Sequence, residues 1–337
     1  MMLKRLRDSR HAVATIVAIV AALLIIFAVV AVIVLVPVKT LTYDQTKSVE
    51  KKEGVNTMEL TLNADIAEVH LYYEELHNSS IEVRVQAKAQ VGVLDQSTNI
   101  MKFTMTSSVS GNKLLVNVIT DLADWLALGP WTTVNVTAVM DKSLYDYASV
   151  NTGTGSVWLT AHEGAHVNAT SLRTATGDAT VKLHPGTILG GSMAISTTTG
   201  MVTLVSDDIE VATNAVISLQ DTTGAINAEV IQLGHMSHNL SVQMTTVTGS
   251  LTYIVEIAGT NGGSISASTN LGKVNVVRSE GFVPGANSGS TNLQSIYYPG
   301  TGNVIAVLQT NLGTVILNAA YAATGPSAGG PPPPEVV

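Results

Sequence analysis

Residues 193–205 read Met-Ala-Ile-Ser-Thr-Thr-Thr-Gly-Met-Val-Thr-Leu-Val, with apolar residues at alternate positions on both sides of a Thr-x-x-Gly corner. The pattern recurs between residues 148 and 318, and Thr stands three positions before the glycine in six of seven copies. Successive glycines are 22 to 25 residues apart, except for 41 residues before the last. A repeat of this length is typical of proteins that stack similar coils. The seven corner glycines are Gly155, Gly177, Gly200, Gly224, Gly249, Gly272 and Gly313.

The apolar residues of each copy fall in fixed columns around the glycine, as Ile195, Val202 and Leu204 do around Gly200. When every second residue is apolar, one face of a strand lies in a core and the other in water. An amphipathic helix instead repeats its apolar residues with a period near 3.6. Glycine adopts positive φ at little cost, so the shared glycine predicts a tight corner. The sequence therefore predicts an all-β fold, a β-solenoid of seven coils of 22–25 residues. The alternative is an antiparallel sandwich of hairpins; the solenoid is favoured because the columns repeat in identity as well as polarity.

The N-terminus predicts a membrane anchor. Residues 1–11 form a basic tail, and residues 12–36 carry no charge. A helix of that length can cross a bilayer, and basic residues ahead of it favour a cytoplasmic N-terminus. A cleavable signal peptide is the competing interpretation, but its apolar run is usually shorter and ends in a small-x-small site. We therefore expect an uncleaved, single-pass signal anchor over 12–38 in the cell membrane, with the rest of the chain outside the cytoplasm.

The remaining chain divides by composition. We expect a juxtamembrane spacer over 39–54, an irregular β part or cap over 55–147, the repeat solenoid over 148–321 and a disordered Gly/Pro-rich tail over 322–337. Two loops carry aromatic residues that could contact a partner, because loops carry function more often than strands do. These residues are Trp125, Trp131, Tyr297 and Tyr298.

Composition excludes several classes of function. The net charge is −8, and basic residues cluster only at the N-terminus, so nucleic-acid binding is not expected. The chain has no cysteine, which excludes disulfides and thiolate chemistry. Aromatic residues make up only 4% of the chain, which favours a thin Val/Thr/Gly-rich β structure over an enzyme with aromatic pockets.

One motif resembles a zinc-protease site. His162-Glu163-Gly-Ala-His166 matches H-E-x-x-H, in which two histidines one helical turn apart bind zinc and the glutamate acts as base. Here the motif lies between two strand patterns, contains a glycine and has no helical periodicity around it. We interpret it as a chance match, and predict no catalytic, cofactor-binding or metal-binding residues.

The strand patterns resemble a known family. Met58-Glu-Leu-Thr-Leu62, Ile81-Glu-Val-Arg-Val85 and Val150-Asn-Thr-Gly-Thr-Gly-Ser-Val157 are similar to segments of the putative-adhesin β-solenoid family, which is related to LiaF- and LiaG-like C-terminal domains and to GIN head domains. The resemblance covers roughly residues 54–320. It implies a right-handed β-helix-like stack tethered to a membrane, and supplies no catalytic residues.

The expected function is non-enzymatic: surface display, adhesion or envelope sensing, with a surface protein or a glycan as partner. The alternative is a structural subunit that forms homo-oligomers by stacking through solenoid ends or edge strands. A third, less favoured interpretation is a carbohydrate-active enzyme of the envelope, which would need paired carboxylates in a groove.

Overall fold

The computed structural model of the chain describes residues 20–27, 39–91, 100–122, 132–284 and 291–322. The described chain is nearly all β, which confirms the predicted class, and its strands form one open sheet. In chain order the strands are β1 (Lys39–Glu50), β2 (Thr57–Ile66), β3 (Glu68–Glu74), β4 (Ser79–Val91), β5 (Met101–Ser110), β6 (Lys113–Leu122), β7 (Thr132–Asp141), β8 (Tyr145–Thr154), β9 (Val157–Ala161), β10 (His166–Thr176), β11 (Ala179–Leu183), β12 (Ile188–Leu189), β13 (Met193–Asp207), β14 (Glu210–Val211), β15 (Ala215–Gln232), β16 (Leu240–Ala258), β17 (Gly262–Glu280), β18 (Phe282–Pro284), β19 (Thr291–Ser295) and β20 (Asn303–Ala322).

The repeats stack as parallel coils. β13 pairs in parallel with β15, and β15 with β16, so that Gly200, Gly224 and Gly249 stand side by side. The hairpin-sandwich alternative is wrong for these repeats, because the ladders between them are parallel. Each coil has a strand segment before its corner and another after it. We call the outer surface of the first segments the first face, and that of the second segments the second face.

The Thr-x-x-Gly corner has two physical requirements. The Thr174 hydroxyl donates a hydrogen bond of 2.8 Å to the Gly155 carbonyl of the preceding coil, and Thr197 donates one of 3.0 Å to Gly177. A Cβ placed on Gly224 would lie 1.8 Å from the carbonyl oxygen of Gly200, far inside van der Waals contact. A corner that follows another glycine corner therefore leaves no room for a side chain at its last position, and at several corners a threonine hydroxyl at the first position also links the coils.

The order of coils in space departs from the sequence at the C-terminal end. β20 pairs in parallel with both β16 and β17, so the last repeat in the chain lies between the two that precede it. A Cβ on Gly272 would meet the Gly313 carbonyl oxygen at 1.7 Å, and one on Gly313 would meet that of Gly249 at the same distance. The file of corners thus runs from Gly249 through Gly313 to Gly272. The chain returns through the antiparallel pair of β18 and β19.

A similar inversion occurs at the N-terminal end. The coil of β2 and β3 lies between β8–β9 on one side and β6–β7 on the other, with parallel pairing throughout. Its corner residue is Ala67, whose carbonyl oxygen faces Gly155 as a corner glycine would. β5 covers β6, and β4 followed by β1 covers β7, all in antiparallel pairing. The structure therefore places regular coils within 55–147 as well as covering strands.

Inward-facing columns of apolar residues form one continuous core along the stack. Ile195, Leu219 and Met244 are fully buried in successive coils. Asp146 is also buried, and burial raises the pKa of its carboxyl well above the usual range, while the nearby Tyr73 hydroxyl lowers it in part. Neither Asp146 oxygen makes a geometrically satisfactory hydrogen bond within the described chain. Burial therefore favours the neutral, protonated form of this carboxyl.

The N-terminal apolar segment is described only over residues 20–27, which form a short helix. Across the described ranges, no helix combines the length and apolarity that a membrane crossing requires. The structure therefore gives no support to the predicted transmembrane helix, and the other residues of the 12–38 prediction lie outside the described ranges. The predicted tail beyond Ala322 also lies outside them, as do Trp125 and Trp131.

Candidate binding site

An open groove of about 600 Å³ crosses five coils on the first face, from β2 to β15. Its floor is a single column of small residues in register, namely Ser149, Ser171, Ala194 and Ser218. Strands in a sheet are about 4.8 Å apart, so the column extends roughly 14 Å along the stack. The groove therefore runs across the strands, parallel to the axis of the stack.

At the β2 end of the groove, the column beside the floor carries larger side chains. Tyr147 is 38% exposed and lies in register with Glu59, which forms an ion pair with Lys113. The Lys113 ammonium also lies 5.1 Å from the centre of the Tyr147 ring, a cation–π distance. Two residues earlier, the 48% exposed Tyr145 packs on the His166 ring at 4.6 Å. At this end the groove is thus lined by the Tyr147 ring and the Glu59 carboxylate, and the Lys113 ammonium lies beside both.

The second face carries an aromatic cluster on the same coils. His70 and Trp158 are cross-strand partners whose rings stack at 4.4 Å, and Tyr72 lies 6.1 Å from His70 in a nearly parallel plane. Partial burial lowers the pKa of His70, against a smaller opposing effect of Glu68. His70 is therefore expected to be neutral near pH 7 and to act as a ring in the stack.

The H-E-x-x-H residues do not converge on one point. The His162 ring stacks on His184 of the next coil at 4.5 Å, whereas the His166 ring packs against Tyr145. Glu163 lies against the backbone at Gly186. Within the described ranges, no three His, Asp or Glu side chains are grouped so that they could hold a metal ion.

Of the loop residues singled out from the sequence, the two that the structure describes, Tyr297 and Tyr298, lie away from the groove. Tyr297 is partly exposed and packs on Tyr321 at 5.2 Å, at the C-terminal end of the stack. The neighbouring Tyr298 donates its backbone N–H to the Ser295 carbonyl at 3.0 Å. The structure does not bring either residue to the groove, and their role as partner contacts stays a prediction.

Sequence reasoning missed the groove residue Tyr147, the nearby Tyr145 and the cluster of His70, Tyr72 and Trp158. A signal was present, because these rings occupy strand positions that alternate with apolar core positions. Such positions point outward, and outward rings are notable in a chain with 4% aromatic residues. What the sequence could not give was their proximity, which depends on the coil of β2 and β3 lying beside β8 and β9.

Comparisons with known proteins give no family assignment. No protein-family model matches the chain, and no curated protein matches it in sequence. A structure from Clostridium sporogenes described as a "putative cell adhesion protein" is 12% identical, with a TM-score of 0.35, covering 82% of this chain and 99% of its own. A "putative adhesin" from Bacteroides fragilis is 9% identical, with a TM-score of 0.30 and coverage of 83% and 97%. A "putative lipid binding protein" from Parabacteroides distasonis is 10% identical, with a TM-score of 0.29 and coverage of 85% and 97%.

With TM-scores of 0.35, 0.30 and 0.29, these structures do not decide the family of this chain, and the resemblance seen in the sequence stays an expectation. No family model supports the finer relation to LiaF-like or GIN domains. At these TM-scores the comparisons carry no conclusion on ligand or mechanism, so any function has to be inferred from the groove itself.

Proposed function

We propose that this chain is a non-enzymatic, adhesin-like β-solenoid whose first-face groove binds an extended glycan. The observation that carries the proposal is the groove, in which serine hydroxyls recur from coil to coil beside the exposed Tyr147 ring. A sugar polymer presents hydroxyl groups and C–H faces in alternation. Serine side chains can exchange hydrogen bonds with the hydroxyls, and an aromatic ring can pack on a C–H face.

The charges in the groove favour binding over hydrolysis. Glycoside hydrolysis uses two carboxyl groups on opposite sides of the scissile bond. Among the described residues that line the groove, Glu59 is the sole carboxylate, and it is already paired with Lys113. The Glu59–Lys113 pair is therefore suited to orient a ligand by hydrogen bonds and not to supply an acid and a base.

Binding is tested with the full chain in mild detergent against a panel of immobilised polysaccharides, followed by titration of the strongest ligand. Ser171→Trp places a large ring on the groove floor at an exposed position and should weaken binding about tenfold or more. Tyr147→Ala should weaken it by about fivefold, through loss of the aromatic contact. Thr252→Trp, on the second face several coils away, is the matched control and should bind as the wild type does.

Two results would contradict the proposal: no polysaccharide in the panel binds, or Ser171→Trp binds as tightly as Thr252→Trp does. Circular dichroism of each variant separates loss of binding from loss of fold.

Display outside the cell is part of the proposal and rests on the sequence, in which the uncharged residues 12–36 follow a basic tail. Full chain expressed in cells should sediment with membranes and remain there after alkaline washing, whereas a chain beginning at Lys39 should not. Release of the full chain by the wash would contradict anchoring without bearing on the groove.

A further inference from the structure

The C-terminal end of the stack is covered over only half of its outermost strand. β19 pairs antiparallel with residues 264–267 of β17. Within the described ranges, no strand pairs with residues 268–280 of β17 on the side away from β20. We call residues 268–280 the open edge. Its unpaired backbone N–H and C=O groups are a template for another strand.

The open edge also leaves core positions half covered. Val274 and Val276 continue the columns of Val315 and Leu317, which are fully buried one coil deeper. In contrast, Val276 is 37% exposed and its neighbour Val277 is 64% exposed. A strand added at this edge would therefore gain backbone hydrogen bonds and cover apolar surface at the same time.

The opposite end of the stack shows how this protein closes a core. β5 covers β6, and β4 with β1 covers β7. Lys47 of β1 reaches across to β5, donating a hydrogen bond of 3.0 Å to the Phe103 carbonyl and lying 4.5 Å from the Phe103 ring centre. The open edge has no such cover from the described part of the chain.

The charges along the open edge indicate its occupant. Lys273 and Asn275 alternate with the inward Val274 and Val276, so they face outward. A register shift between Val276 and Arg278 changes the alternation, and Arg278 and Glu280 then face outward together and form an ion pair. The edge is therefore basic near its start and carries an acidic side chain at its end.

We propose that the open edge pairs antiparallel with the open edge of a second copy of this chain, about a twofold axis between Val276 and Val277. This arrangement brings the Val276–Val277 bulges of the two copies together and sets Lys273 against Glu280 of the second copy, twice by symmetry. The exposed Val276 and Val277 then lie at the centre, and opposite charges meet at both ends. Because the contact joins like with like, it closes on itself and gives a dimer, not a filament.

The test is the dimer dissociation constant of the full chain in mild detergent, measured by sedimentation at low ionic strength. Lys273→Glu and Glu280→Lys each replace two attractive pairs with two repulsive ones, so each should weaken the dimer about tenfold. A mixture of the two variants should form a heterodimer with wild-type affinity, because both charge pairs are restored in it. Lys182→Glu, an exposed residue on the second face, is the matched control and should dimerise normally.

Three results would overturn the proposal. The first is a chain that is monomeric at all concentrations tested. The second is a dimer that both reversals leave unchanged, which would place the contact elsewhere. The third is a chain ending at Ala322 that dimerises when the full chain does not, which would assign the edge to the residues that follow. Exposed positions were chosen so that each variant retains its fold, which thermal unfolding verifies.

Discussion

The carbonyl oxygen of each corner glycine explains why the repeat keeps both its threonine and its glycine. At Gly155, Gly177, Gly249 and Gly313 this oxygen accepts a hydrogen bond from the threonine of the next coil in the stack. The same oxygen occupies the place where a side chain of the next corner residue would lie. The requirement for glycine therefore comes from close approach between coils more than from the backbone angle.

Substitution of a corner glycine tests this explanation. Gly224→Ala should lower the free energy of unfolding by about 3 kcal/mol, because its Cβ would lie 1.8 Å from the Gly200 carbonyl oxygen and the coils would have to separate. Gly111→Ala is the control: Gly111 has a φ of 63°, but a Cβ added to it would have no atom within 4 Å. Gly111→Ala should lower the free energy of unfolding by only about 1 kcal/mol, through backbone strain. If denaturant unfolding shows that both variants lose the same free energy of unfolding, backbone strain alone explains why glycine recurs at the corners.

Asp221 stands at the corner position that the other six repeats fill with threonine, and its effect on the free energy of unfolding depends on pH. Burial raises the pKa of its carboxyl, although backbone N–H groups of Thr223 and Thr222 oppose the shift. One carboxylate oxygen is buried without a hydrogen bond in the described chain, near the place where a threonine would donate to Gly200. The folded state thus holds the proton more tightly than the unfolded state.

Asp221→Thr should therefore stabilise the protein near pH 7 by about 1 kcal/mol, through the restored hydrogen bond. Because the pKa of Asp221 is higher in the folded state, the free energy of unfolding of the wild type falls as the pH rises above about 4, the pKa of an aspartate in the unfolded chain. The variant has no carboxyl at this position and lacks that fall. The advantage of the variant in denaturant unfolding should consequently grow with pH. An advantage that is constant or that shrinks as pH rises would show that Asp221 is not strained in this way.

At the scale of the strand, the end of the stack differs from its interior. Val315 and Val274 occupy the same core column in adjacent coils, the first in β20 and the second in β17. Val315 is fully buried. Val274 is covered on one side only, because no strand within the described ranges pairs with this part of β17 on the side away from β20.

The same substitution should therefore have unequal effects at these two positions. Val315→Ala should cost about 2 kcal/mol, the sum of lost burial and a cavity, and Val274→Ala less than about 1 kcal/mol. The comparison requires protein concentrations at which the chain is monomeric. Equal costs in denaturant unfolding would mean that the edge of β17 is covered within the monomer.

The strand alternation and the corners were readable from the sequence, but the order of coils was not. Residues 269–272 and 310–313 both read Thr-Asn-Leu-Gly, so neither copy shows which of them stacks on Gly249. The 41-residue spacing between the last two corner glycines indicates an inserted segment, but it does not show where in the stack the chain continues after that segment. Residues 57–74 escaped the repeat pattern because Ala67 stands where a corner glycine would mark the coil.

For the whole molecule, the groove depends on coils brought together in space. Glu59 and Tyr147 are far apart in sequence and meet because β2 pairs with β8. The predicted contact residues were chosen from loops, yet Tyr297 packs on Tyr321 at the far end of the stack. In a thin stack of coils the largest surfaces are the strand faces, and the proposed groove lies on one of them, while the role of the loop residues stays a prediction.

The chain forms one stack of coils whose order in space inverts the sequence order at both ends, and the groove and the open edge both follow from this order. The chain lacks cysteine, so engineered pairs report distance without interference. Ile316 pairs with Thr252 on one side and with Asn275 on the other. Thr252 and Ile316 are therefore about 5 Å apart, within disulfide range, whereas Thr252 and Asn275 are about 10 Å apart.

The most direct measurement is oxidative cross-linking of two double variants, read by mass spectrometry. The variant carrying Thr252→Cys and Ile316→Cys should form an intramolecular disulfide, and the variant carrying Thr252→Cys and Asn275→Cys should not. The opposite result, with only the second pair cross-linked, would show that the coils follow sequence order and would contradict the account.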